Sequence, residues 1–175
     1  IGWAVGGLFF GIMGDRKGRV RTLMTTVLIY SIFTGLSAFS VTVWDFALYR
    51  FLTGLGVGGV FAVAVSLVAE TVPGNARPYS LGLLQASSAV GNCAAALTFI
   101  LLVSMEFQGK FDDFSVRGYG PINPWRIMFL VGLIPAILAL VIHGRLREPE
   151  QWKQAVAAGT NVRTGSVGEL LSDSE

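Results

Sequence analysis

Uncharged, strongly apolar stretches recur along the chain with short polar breaks between them. They cover residues 1–14, 22–44, 51–69, 78–105 and 127–144, with lengths of 14, 23, 19, 28 and 18 residues. A hydrocarbon core about 30 Å thick needs about 20 helical residues at about 1.5 Å each. Four of the stretches are long enough to span it, and the first is short. The pattern predicts an all-α, multispanning membrane protein with helices over 1–14, 23–39, 46–69, 79–105 and 125–143. Turn signals fall between them at 14–18, 40–45, 73–75 and 118–124, and residues 106–123 form the long connection. Glycines and prolines inside the spans, among them Gly54, Gly58, Gly132 and Pro135, are common in membrane helices, where neighbouring helices re-satisfy the backbone.

Composition agrees with this reading and removes other classes. Of the 175 residues, 53% are hydrophobic and 14% charged, against about 25% charged in ordinary soluble domains. A net charge of +2 is too weak for a nucleic-acid footprint. One cysteine, Cys93, forms no intramolecular disulfide, and one histidine beside it leaves no zinc set. No nucleophile, base and acid set points to an enzyme, and no cofactor is expected. The first stretch lacks the basic flank and cleavage site of a signal peptide, so the chain is expected to be a piece of a longer one. The tail after Trp152, rich in Gly, Ser and Thr, reads as a linker.

Lys and Arg set the expected orientation. The first connection holds Arg16, Lys17, Arg19 and Arg21, a later one Arg77, and the segment after the last span Arg145, Arg147 and Lys153. On the opposite side, 40–45 has no base, and 106–123 has Lys110 and Arg117 against Glu106, Asp112 and Asp113. By the positive-inside rule the loop 14–21 and the carboxy-terminal tail face the cytoplasm of a plasma or bacterial inner membrane.

Four groups of residues carry candidate chemistry. In the first connection Gly11 allows close helix approach, Gly14 and Gly18 permit a tight reversal, and Asp15 sits among cations, although an incidental acid in a basic loop would look the same. In the third span Gly54 and Gly58 offer a face for close helix packing. Arg50 stands about 8 Å inside Asp45 by the helical rise, where it either snorkels outward or faces a polar cavity. Glu70 and Arg77 flank the turn at Pro73. In the fourth span Gln85, Ser88 and Asn92 lie at i, i+3 and i+7, a polar stripe that serves either as helix glue or as a lining for solute.

Gly11, Asp15, Arg16, Gly18 and Arg19 match G-x-x-x-D-R-x-G-R, and the chain in this respect resembles the major facilitator superfamily, where that sequence joins helices two and three. The string Arg50, Gly54, Gly56 resembles helix four, and Glu70, Pro73, Arg77 resembles the helix four to five loop of sugar-porter and related branches. Residues 125–135 resemble helix six, and Glu148 and Trp152 retain part of a sugar-porter sequence after it. The resemblance implies part of the amino-terminal six-helix bundle of a twelve-helix secondary transporter. Residues 1–144 would be helices two to six and 145–175 the start of the central cytoplasmic loop, with helix one and the carboxy-terminal half as missing partners in the lipid bilayer. It further implies a gating network of Asp15, Arg16, Arg19, Glu70, Arg77 and Glu148 with Gly11 and Gly18, a cavity or coupling role for Arg50, and binding of a sugar, polyol or organic acid by Gln85, Ser88 and Asn92. In the proton-coupled members such an arginine lines the cavity and senses an acid on helix one, so the resemblance leaves coupling to protons open. A drug or lipid exporter, or a non-transporting receptor on the same fold, are the other readings.

Overall fold

In a computed structural model, residues 1–108, 115–116, 120–121 and 124–143 are described. The helices are α1 (Gly2–Lys17), α2 (Arg19–Ser37), α3 (Val43–Thr71), α4 (Arg77–Phe107), α5 (Pro124–Val131) and α6 (Ile134–His143). A minimal antiparallel hairpin, β1 (Ser115–Val116) with β2 (Gly120–Pro121), lies in the long connection, where the sequence predicts no strand.

Each boundary has a local cause. Gly18 alone separates α1 from α2. Its φ of 106° and ψ of 141° suit glycine, its N–H closes α1 on the Gly14 carbonyl, and its own carbonyl accepts from Thr22 N. The tight reversal expected from two glycines therefore rests on one, and Gly14 is an ordinary residue of α1. The start of α3 is a capping box: Asp45 N donates to Thr42 Oγ1 at 3.1 Å and Thr42 N to Asp45 Oδ2 at 3.2 Å. Pro73 ends α3 and Pro78 falls in the first turn of α4, where no intrahelical donor is lost.

The span expected over 125–143 is two helices. Pro135 cannot donate to the carbonyl one turn back, and Leu133 N instead reaches Leu130 in a tighter bond of 3.0 Å. The break sits where the segment crosses α2: a methyl at Gly132 would overlap Thr34, and one at Gly35 would meet Leu133 Cδ1 at 2.9 Å.

α3 is the centre of the packing. Gly2 and Gly6 of α1 meet the backbone of Phe51 and Leu55, and Gly54 and Gly58 of α3 meet that of Gly2 and Trp3. Small residues on both helices thus let the backbones touch, and the rising order of contacts makes α1 and α3 parallel. Gly56 and Gly59 receive Tyr30 and Thr26, so α2 runs antiparallel to α3. The Thr26, Thr34 and Ser37 hydroxyls donate to carbonyls of α2 itself, which lets a polar line pack inside an apolar bundle. α4 is peripheral and buries no residue. Four segments, α2, α3, α4 and residues 124–141, are long and apolar enough to cross a membrane, whereas α1 has 16 residues. Large apolar side chains such as Leu8, Val43, Leu83, Leu101 and Leu140 stand exposed, as lipid-facing positions do.

Candidate functional site

At the Gly18 end of the bundle, three helix ends bring their charges together. Asp15 is in the last turn of α1, Arg19 opens α2, and Glu70 is in the last turn of α3. Arg19 Nη2 lies 2.6 Å from Asp15 Oδ1 and 2.6 Å from Glu70 Oε1, and Arg19 Nε donates to the same Glu70 oxygen at 2.9 Å. The Arg19 side chain is 12% exposed, which strengthens these bonds over open surface pairs, and it offsets the cost of two carboxylates at the carboxyl ends of α1 and α3, where the dipole disfavours an anion. Glu70 Oε2 is buried without a hydrogen-bond partner among the described residues.

Other members of the expected network stand apart. Arg77 is exposed at the start of α4 and makes no ion pair among the described residues. Arg16 is one residue on from Asp15, about 100° round the helix, and is exposed. Gly11 meets nothing within 4 Å of where a Cβ would stand, so the close helix approach expected there is absent among the described residues. Glu148, Trp152 and the remainder of 144–175 lie outside the described residues.

Arg50 is half-buried on α3. Its Cζ lies 4.7 Å from the Phe129 ring centroid and 5.8 Å from that of Phe46, within cation–π range. Nη2 donates to Thr53 Oγ1 at 3.4 Å, and Nε is buried with no partner among the described residues. The guanidinium is therefore held between aromatic faces with part of its donor set unused. Spacing along the sequence did not indicate Phe129, which reaches Arg50 because α5 packs against α2 and α4 and extends this side chain to α3.

On α4, Gln85, Ser88 and Asn92 are all exposed and hydrogen-bond to none of the described helices. Interhelical bonding of the kind expected for glue is thus not made within the described bundle.

At the opposite end, Arg126 of α5 donates to the carbonyls of Ala38 and, at 3.3 Å, Ser40. Its Cζ sits 4.5 Å over the Trp125 ring. These are carbonyls that the end of α2 leaves without helical donors, and a cation there also complements the dipole. The signal of this clamp in the sequence is slight: an Arg opening the last span opposite a helix end with no basic residue of its own.

The family model described as "Sugar (and other) transporter" matches residues 1–161. The chain is 33% identical to the cis,cis-muconate transport protein of Acinetobacter baylyi, over 98% of this chain and 38% of that one. It is 36% identical to the niacin transporter NiaP of the same organism, over 85% of this chain and 30% of that one. Among solved structures, a double tryptophan mutant of XylE superimposes with a TM-score of 0.71 at 21% identity, covering 99% of this chain and 39% of that one. The chain thus spans between 30% and 39% of the length of these proteins.

Proposed function

The chain belongs to the sugar (and other) transporter family of the major facilitator superfamily, and from that premise we propose that it supplies helices two to six of a secondary transporter that moves a small organic carboxylate by alternating access. Helix one and the carboxy-terminal half complete the solute path, the Gly18 end faces the cytoplasm, and protons are the coupling ion.

Arg50 carries the choice of solute class. A guanidinium inside an apolar span is costly unless something polar meets it. Among the described residues Arg50 has one hydroxyl at 3.4 Å and a buried Nε without a partner, and a carboxylate accepts two parallel N–H bonds from such a fork. Muconate and niacin, which the named relatives transport, are both carboxylates. The XylE likeness, at 21% identity, supports the fold and not a sugar. Gln85, Ser88 and Asn92, exposed on α4, offer donors and acceptors to the remaining polar groups of the solute.

The test is uptake by the full-length protein in proteoliposomes, with radiolabelled niacin and muconate beside xylose and the neutral amide of niacin. Carboxylates are taken up and the amide is not, and Arg50→Lys, which keeps the charge but loses the fork, lowers affinity by about tenfold. Uptake of the amide at the rate of the acid, or unchanged affinity in Arg50→Lys, overturns the carboxylate reading.

A further inference from the structure

A second set of cations lies about the Gly18 reversal. Met13, Arg16, Lys17, Arg21, Thr22 and Thr25 line a cavity of about 420 Å³ between the end of α1 and the start of α2. That volume is in the range of small-ligand pockets. Asp15, the acid of this corner, is held by Arg19, and neither Arg16 nor Lys17 makes an ion pair among the described residues. The cavity also borders the first turn of α2, whose dipole favours an anion.

Cations in a basic loop are commonplace, and a helix start alone is not a site. One buried hydroxyl, that of Thr22, separates this cavity from an ordinary wet basic surface, since Thr25 is exposed. Thr25 Oγ1 donates to the Arg21 carbonyl at 2.9 Å, so its proton is spent. Thr22 is 1% exposed, lines the same cavity, and its Oγ1 has no hydrogen-bond partner among the described residues. A buried hydroxyl left unbonded costs about 1 to 3 kcal/mol, a cost removed when an acceptor enters. The acceptor that suits a hydroxyl donor beside three cations is a tetrahedral oxyanion, which offers several oxygens and at least one negative charge. Met13 gives the cavity one apolar wall, which suits a glycerol or acyl stem more than water.

We propose that this cavity binds a phosphate group, held by Arg16, Lys17 and Arg21 with Thr22 as the buried donor. Its source is either the headgroup of an anionic phospholipid at the membrane surface or free phosphate. The site is separate from the solute path and stands whether or not the solute is a carboxylate.

The full-length protein in a neutral detergent, titrated by microscale thermophoresis, tests this. Dioctanoyl phosphatidylglycerol binds saturably, and dioctanoyl phosphatidylcholine, whose phosphate is neutralised internally, binds about tenfold more weakly. Arg16→Gln with Lys17→Gln weakens phosphatidylglycerol binding by about tenfold, and Thr22→Val, which keeps the shape, by roughly threefold. Lys110→Gln with Arg117→Gln removes the same charge elsewhere and changes nothing. Displacement by millimolar inorganic phosphate identifies an aqueous source, and no displacement a lipid one. Equal weakening by the Lys110 and Arg117 pair, or unchanged binding in both the Arg16 and Lys17 pair and Thr22→Val, overturns the proposal.

Discussion

Arg19 gives both its Nε and its Nη2 to a single oxygen of Glu70, Oε1, at 2.9 and 2.6 Å, while the other oxygen of that carboxylate is buried without a described partner. The same Nη2 holds Asp15, so one guanidinium ties the ends of α1, α2 and α3 together. Open surface ion pairs contribute about 0.2 to 1 kcal/mol each, and these less exposed ones at least as much, enough to bias a balanced conformational equilibrium several-fold without unfolding the protein. Asp15→Asn is therefore expected to slow solute uptake several-fold at unchanged protein level and solute affinity. Uptake at the wild-type rate would show that the network has no gating role.

Glycines of one motif class differ sharply in what surrounds them. A methyl at Gly58 would overlap the Trp3 backbone, whereas one at Gly11 meets nothing within 4 Å. Overpacking of a tight contact costs about 1 to 3 kcal/mol. Gly58→Ala should lower the thermal midpoint of the full-length protein, read by fluorescence-detected size exclusion after heating, and Gly11→Ala should lower it less. The reverse order would mean that α1 and α3 do not meet through Gly58.

Gln85 and Asn92 lie about 12 Å and 22 Å along α4 from Arg77, on either side of the middle of a core about 30 Å thick, where secondary transporters bind. Removing an amide that a solute uses costs roughly 1 to 3 kcal/mol. Gln85→Ala is expected to weaken apparent affinity by about one order of magnitude. Ser80→Ala, about 140° round the helix, serves as the control. Equal harm from Ser80→Ala, or none from Gln85→Ala, returns the stripe to helix packing.

The orientation makes a separate prediction. Cysteines introduced singly at Lys17, Lys110 and Lys153 in the full-length protein, in a background with Cys93→Ser, should react with an impermeant thiol reagent in intact cells only at position 110. Labelling at position 17 would invert the topology.

The spans were legible because length and apolarity alone decide them, and the pairing of Asp15 with Glu70 through Arg19 follows a motif whose residues are close in sequence or at helix ends. What the sequence hid depends on rotation and on distant segments. Gly11 and Gly14 look equivalent in a string, yet three residues turn the helix by about 300°, and one faces open space while the other faces Val63 and Arg19. Glu70 and Arg77 look like partners across a short turn, but the turn points Arg77 away. Phe129 over Arg50 and Arg126 under the end of α2 each join segments about 80 residues or more apart, and no local pattern carries such a contact. The division of the last span was signalled by Pro135 and obscured by its otherwise continuous apolar run.

The single-residue joint at Gly18 would, in isolation, be a universal pivot: a swing of about 10° there would carry the far end of a 16-residue arm, about 24 Å long, through about 4 Å. Both arms of that pivot are also fastened along α3, by glycine-to-backbone contact on one side and by Thr26 and Tyr30 on the other. A triangle of three fastened bars does not shear, so α1, α2 and α3 transmit load as one stiff strut. Compliance is left to α4, lightly held among the described residues, and to the joint at Gly132 and Leu133.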